Sequence, residues 1–214
     1  MATRVHTLYG SDGSGSAAIE AALVLCELPY RIVSAASWDP ASALAELARA
    51  NPLQQIPTLV LPDASVLTES AAILIHLGLA HPASGLVPAA PAARDQAIRG
   101  LVFIAANCYA AIGVIDYPER WCAGATQAMK ERIRRGARER LHRHWELFAE
   151  LFPAPGPFLG GERPGALDLL AAVVSRWSGA RAHLRDARPA FSALLDRIDA
   201  HPRLAPLFLR HWPA

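Results

Sequence analysis

The chain has 214 residues, 52% hydrophobic and 19% charged, with a net charge of +2. That is an ordinary globular composition, enough for one large or two small domains, and it excludes a disordered or fibrous chain. The N-terminus carries no leader pattern, and no apolar segment reaches the roughly 18 to 20 residues a membrane span needs, so a soluble, cytoplasmic protein without membrane attachment is expected.

Residues 4 to 9, "RVHTLY", alternate apolar and polar positions and predict a first strand that runs into the glycine-serine stretch "GSDGSGS". Ala17 to Leu28 is apolar except for Glu20 and Glu27 and predicts a helix packed on a sheet, with Ser16 as its N-cap. "YRIVSA" predicts a second strand and residues 40 to 50 a second helix. Thr58 to Leu61 and Val66 to Thr68, separated by Pro62-Asp63-Ala64, predict a hairpin, and a third helix starts at Glu69-Ser70. The order is β-α-β-α-β-β-α, for which the connection lengths predict three parallel strands and an antiparallel fourth.

From Pro88 onward only helices are predicted, at 91–116, 125–152, 166–180, 188–200 and 203–212. The charge changes sign at the same place. Residues 1 to 80 carry three basic against seven acidic side chains, a net −4, and the remainder eighteen against twelve, a net +6. Two domains of different construction follow, residues 1–82 and 91–214, with residues 83–90 as linker.

Three cysteines, Cys26, Cys108 and Cys122, are odd in number and lack C-x-x-C spacing, which argues against a disulfide framework, a zinc site and a dithiol motif. His142 and His144 sit two apart, a spacing that sends helical side chains to different faces, so no metal is expected. Seven basic residues crowd Lys130 to Arg143, but Glu131 and Glu139 are interleaved and no aromatics stand among them; a solvated helix face is expected rather than a nucleic-acid surface.

Gly13 to Ala18 satisfies G-x-G-x-x-A, a dinucleotide fingerprint, and Asp39 stands at a suitable distance for a ribose. A dinucleotide fold would continue with another parallel strand, whereas this chain turns back in a hairpin. What the loop offers is a helix N-terminus with free N–H groups and hydroxyls at Ser11, Ser14 and Ser16, a setting that stabilises an anion, including a thiolate whose free pKa is about 8.5.

Three motifs in this order resemble those of the glutathione S-transferases over essentially the whole chain: "LYGSDGSGS", "NPLQQIPTL" and "LTESAAILIHL". The resemblance implies an α/β thioredoxin-like N-terminal domain followed by an all-α domain, a homodimer, and glutathione as co-substrate. It implies a cis Ile56–Pro57 bond whose exposed backbone pairs with the cysteinyl part of glutathione. Glu69 and Ser70 would hold the γ-glutamyl end, and Gln54 or Gln55 the glycyl carboxylate. Ser14 falls at the activating hydroxyl of serine-type members, with Ser11 and Ser16 as alternates; the thiol of cysteine-type members would fall at Gly15, and Tyr9 lies too early for the tyrosine-type role. Asp168 lacks the usual Ser/Thr partner three residues earlier, where Gly165 stands, and is expected to be structural.

The electrophile would meet the first long helix of the second domain, where Phe103, Asn107, Tyr109 and Ile112 and, past its end, Trp121 offer an apolar wall with one amide and one phenol. The expected activity is transfer: a glutathione thiolate attacks a small hydrophobic electrophile. A glutathione-dependent isomerase of the maleylacetoacetate type and a non-catalytic binding or regulatory member are the alternatives.

Overall fold

The computed structural model describes residues 5–36, 38, 39 and 41–213. Arg4 and Pro40, which the sequence placed at the start of the first strand and the second helix, lie outside the described residues.

Four strands, β1 (His6–Gly10), β2 (Tyr30–Ser34), β3 (Thr58–Val60) and β4 (Val66–Leu67), form one sheet in the order β2-β1-β3-β4. Between and after them run α1 (Ser16–Leu25), α2 (Leu44–Ala50) and α3 (Ser70–Ala80). This is a thioredoxin-like sheet in the predicted element order. One expectation is corrected: β1 and β2 are parallel, but β3 runs antiparallel to β1, as β4 does to β3. Gly10 pairs with Ser34 and Tyr9 with Thr58, so β2 ends and β3 begins at the same end of the sheet. The seven-residue α2, about 10 Å long, does not carry the chain back across the sheet.

α1 is apolar on nearly all sides, Glu20 excepted, because it is buried against β1, α3 and two helices of the second half. Its N-cap is Gly15, not Ser16, which is the first helical residue.

The second half is helical: α4 (Pro91–Phe103), a π-helical segment Ile104–Tyr109, α5 (Ala110–Asp116), α6 (Gln127–Leu151), α7 (Ala166–Val174), α8 (Ala180–Ala187), α9 (Pro189–Asp199) and α10 (Ala205–His211). The predicted helix 166–180 stops at Val174, the chain turns where Ser178 and Gly179 take left-handed φ values of 57° and 78°, and α8, absent from the predicted elements, follows. Pro91 to Asp116 forms one continuous 26-residue helical run, long and apolar enough by length and composition to cross a membrane, contrary to the expectation above. Here that run packs as a bundle helix: Leu101, Ile104, Cys108, Ile112 and Ile115 are buried, with α6 and α7 beside it. The hydrophobic core continues from Leu8 and Ile19 through Trp145 and Phe148 to Phe208.

α7 contains Asp168, with no exposed surface. Its carboxylate accepts from the N–H groups of Leu159 (2.8 Å), Gly160 (2.8 Å) and Gly165 (2.9 Å), so it ties the 158–165 loop to the start of α7. Burial pushes its pKa up to about 6 although these bonds oppose the rise. The arginine-rich α6 buries Leu141, Trp145 and Phe148 on one face and carries ion pairs such as Arg134–Glu131 and Arg143–Glu146 on the other.

Candidate functional site

A cleft of about 490 Å³ lies at the C-terminal ends of β1 and β2, where the sheet meets the α4–α5 run. Its sheet-side wall holds Gly13, Ser14, Gly15, Gln54, Gln55, Ile56, Pro57, Glu69 and Ser70. Three separate motifs thus converge on one space.

The first corner is the loop from Gly10 to α1. Ser14 is 6% exposed, and its Oγ lies 2.7 Å from the Ser11 carbonyl and 2.8 Å from Ser16 Oγ. Ser16 Oγ in turn lies 3.1 Å from the same carbonyl and accepts from the Ser11 N–H, while Ser14 Oγ accepts from the Ser16 N–H. Both hydroxyl protons are therefore used inside the loop, whichever hydroxyl donates to the other. Gly10 makes room for this knot, since a Cβ there would lie 2.5 Å from Ser16 Oγ. Of the three serines the sequence nominated, only Ser14 lines the cleft; Ser11 and Ser16 are part of the knot behind it. Tyr9 points elsewhere, its hydroxyl donating to Glu46 of α2 at 2.7 Å.

The second corner is the stretch before β3. Ile56–Pro57 is cis, as the resemblance implied. The Asn51 amide donates to the Gln55 carbonyl and to Thr58 Oγ1, both at 3.0 Å, and accepts from the Leu53 N–H, so one buried side chain fixes the loop. The third corner is the start of α3, where Glu69 at φ 64° precedes Ser70. Gln54 has φ 53°. Two non-glycine residues in the left-handed region, both lining one cleft, are the kind of local strain that collects at binding sites.

The opposite wall is helical: Ala105, Tyr109, Ile112, Asp116, Tyr117, Arg120 and Trp177. Helical spacing separates the predicted residues into two faces, Phe103 with Asn107 and Tyr109 with Ile112. Phe103 packs on Phe148 and Phe152 inside the bundle. Asn107 turns its amide back to the Phe103 carbonyl (3.1 Å), and its own carbonyl accepts from His144 Nδ1 (2.9 Å). Tyr109 and Ile112 do line the cleft; Phe103, Asn107 and Trp121 do not, and Trp121 is 65% exposed. Asp116, Arg120 and Trp177 carried no sequence signal for the site. Tyr109 stacks on Trp177, ring centroids 5.6 Å apart at 23°.

The loop is braced from below by the far end of the chain. The Gly13 N–H donates to His211 Nδ1 (3.2 Å), which leaves the Nε2 proton of His211 to donate to Glu20 (2.8 Å). Glu20, 1% exposed in the middle of α1, also accepts from Tyr30 (2.8 Å) and pairs with Arg210. Burial alone would raise its pKa, but the bonds from His211, Arg210 and Tyr30 outweigh it and hold the carboxyl below its ordinary range.

A thioredoxin-like sheet joined to a helical half, with the cleft at the mouths of α1 and α3, is the arrangement of the glutathione transferases. Residues 16–79 match the family model of the glutathione S-transferase N-terminal domain. The chain is 31% identical over 206 residues to YncG, an uncharacterised GST-like protein of Escherichia coli K12, covering 95% of this chain and 97% of that one. A Sulfitobacter glutathione transferase homologue solved with bound glutathione superposes with a TM-score of 0.80 at 25% identity, over 95% of this chain and 97% of the other. A sphingomonad glutathione S-transferase complexed with glutathione shares the fold at TM-score 0.77 and 22% identity, over 97% and 100%. The chain belongs to the glutathione S-transferase family.

Proposed function

We propose that the cleft binds glutathione and presents its sulfur to a small hydrophobic electrophile. The observation that carries this reading is the convergence of the Ile56–Pro57 edge, the Glu69–Ser70 helix start and the mouth of α1 on one space. The Sulfitobacter homologue with bound glutathione supports it. Glu69 takes the α-ammonium of the γ-glutamyl group, and Ser70 with the first N–H groups of α3 takes its carboxylate. The Ile56 backbone pairs with the cysteinyl residue, and Gln54 and Gln55 face the glycyl end. This places the sulfur beside Gly13, Ser14 and Gly15.

The positive end of the α1 dipole favours the thiolate over the thiol. Attack then follows from proximity, without a covalent protein intermediate. The apolar and aromatic side chains of the helical wall, Ile112, Tyr117 and Trp177, suit an aromatic or alkyl electrophile. A homodimer is proposed with it, on the family resemblance.

Titration calorimetry with glutathione, together with conjugation of chlorodinitrobenzene, tests the reading. Binding that Glu69→Ala weakens, with conjugate formed, is expected. Isomerisation of cis-enediones without conjugation would favour the isomerase, and no binding would sink the assignment.

A further inference from the structure

The mouth of α1 has an occupant from the other half of the molecule. A Cβ built on Gly15 would lie 2.2 Å from Tyr109 Oη and 3.1 Å from Cζ, so the phenol sits where a side chain at position 15 would begin. Its ring is held from behind by Trp177, and Tyr109, Gly13, Ser14 and Gly15 line the same cleft. Among the described residues Tyr109 Oη makes no hydrogen bond, whereas the hydroxyls of Ser14 and Ser16 are committed to the Ser11 carbonyl and to each other. The Ser14 and Ser16 protons are thus spent inside the loop and the Ser11 hydroxyl lies outside the cleft lining, whereas the unpartnered Tyr109 hydroxyl, at the end of the π-helical segment, is part of it.

We propose that the Tyr109 phenol, rather than a serine of the loop, is the hydrogen-bond donor that stabilises the glutathione thiolate; this rests on the glutathione reading above. Tyr109 keeps its proton throughout. Burial pushes its pKa up to about 12, and the charges of Asp116 and Glu69 push the same way, so at neutral pH it is a donor and not a base. The thiol proton leaves to solvent. With chlorodinitrobenzene the sulfur lone pair forms the new C–S bond, and chloride leaves with the C–Cl pair.

The charged or titratable groups that line the same cleft as the phenol are Glu69 at the start of α3, Asp116 at the end of α5, and Tyr117 and Arg120 just beyond it; Asp116 and Glu69 act on the phenol itself. The γ-glutamyl ammonium would neutralise Glu69 on binding, which removes one of the two charges that oppose a thiolate here.

The deciding experiment titrates the ultraviolet absorbance of the bound thiolate in the full-length protein, against an S-methylglutathione blank, in wild type, Tyr109→Phe and Ser14→Ala. This readout needs no electrophile. Tyr109→Phe is expected to raise the thiol pKa by about one to two units, a 10- to 100-fold loss of thiolate at fixed pH, with the calorimetric glutathione Kd, measured below the wild-type bound thiol pKa, changed less than about threefold. The acid limb of kcat/KM for chlorodinitrobenzene should move with it, and Ser14→Ala should leave the thiol pKa near the wild-type value. A pKa unmoved by Tyr109→Phe, or raised by Ser14→Ala instead, overturns the assignment while leaving glutathione binding intact. Wild-type protein that binds no glutathione overturns both readings, and calorimetry on that protein alone tells the two failures apart.

Discussion

The two walls of the cleft are built on different principles. The sheet wall is mostly backbone held by short local motifs: a serine knot, a cis Ile56–Pro57 edge fixed by Asn51, and a helix start. The helical wall is side chains, Tyr109, Ile112, Asp116, Arg120 and Trp177, drawn from places up to 68 positions apart in the chain. A wall of backbone and caps fixes one ligand closely, whereas a wall of side chains can change its partner by substitution without disturbing the fold. Each half of the molecule also holds one buried carboxylate, and the two are satisfied in opposite ways. Glu20 beneath the sheet wall is answered by Arg210 and His211, while Asp168 on the helical side is answered only by backbone N–H groups.

The sharpest way to break this comparison is at the carboxylates. Glu20→Ala leaves His211 buried without its acceptor and should cost about 3 to 5 kcal/mol in chemical denaturation. Asp168→Ala strands three N–H groups and should cost about 3 kcal/mol.

Their conservative variants should differ in pH slope. The Glu20 carboxyl is held below its ordinary value of 4.5, so its contribution is present above that pH and lost on acidification. The stability gap between wild type and Glu20→Gln should therefore close as pH falls below 4.5. Asp168 is raised from 3.8 to about 6, so its contribution is complete below 3.8 and declines as pH rises through 6. The gap between wild type and Asp168→Asn should shrink over that window, by up to about 3 kcal/mol. Parallel slopes would show that the two carboxylates are held alike.

Smaller effects separate the walls as binding surfaces. Glu69→Ala should raise the calorimetric glutathione Kd about 10- to 100-fold, the loss of one hydrogen bond between charged groups. Trp177→Ala should raise KM for aromatic electrophiles about 3- to 10-fold, with the glutathione Kd within a factor of two. Equal effects of the two variants on both ligands would remove the division of labour between the walls.

Most of the fold was legible in the sequence because its signals are local. The glycine-serine loop, the Pro62-Asp63-Ala64 turn and the apolar runs each fix their own element, and the order of elements then leaves few topologies. The direction of β3 was missed because it depends on how far the chain travels across the sheet, which composition does not record. The sheet-wall positions Gln54 to Pro57, Glu69 and Ser70 were found for the same reason: they are contiguous motifs. The helical wall was read only in part. The predicted helix from Pro91 to Asp116 offers two faces, Phe103 with Asn107 and Tyr109 with Ile112, and only tertiary packing decides that the second of them meets the cleft. Trp177 enters through the break at Ser178–Gly179, and no periodicity connects it to the α4–α5 run. The loop is legible in the sequence as three hydroxyls, but not that those of Ser14 and Ser16 are satisfied by each other and by the Ser11 carbonyl.

The bond between the Gly13 N–H and His211 joins positions 198 apart. During synthesis the segment holding Gly13 emerges early, yet its brace does not exist until the ribosome has added a further 198 residues. Until then the mouth of α1 lacks that brace. Refolding experiments that follow tryptophan fluorescence and ligand capture separately should find capture arriving after the bulk of the fluorescence change, because long-range contacts close late.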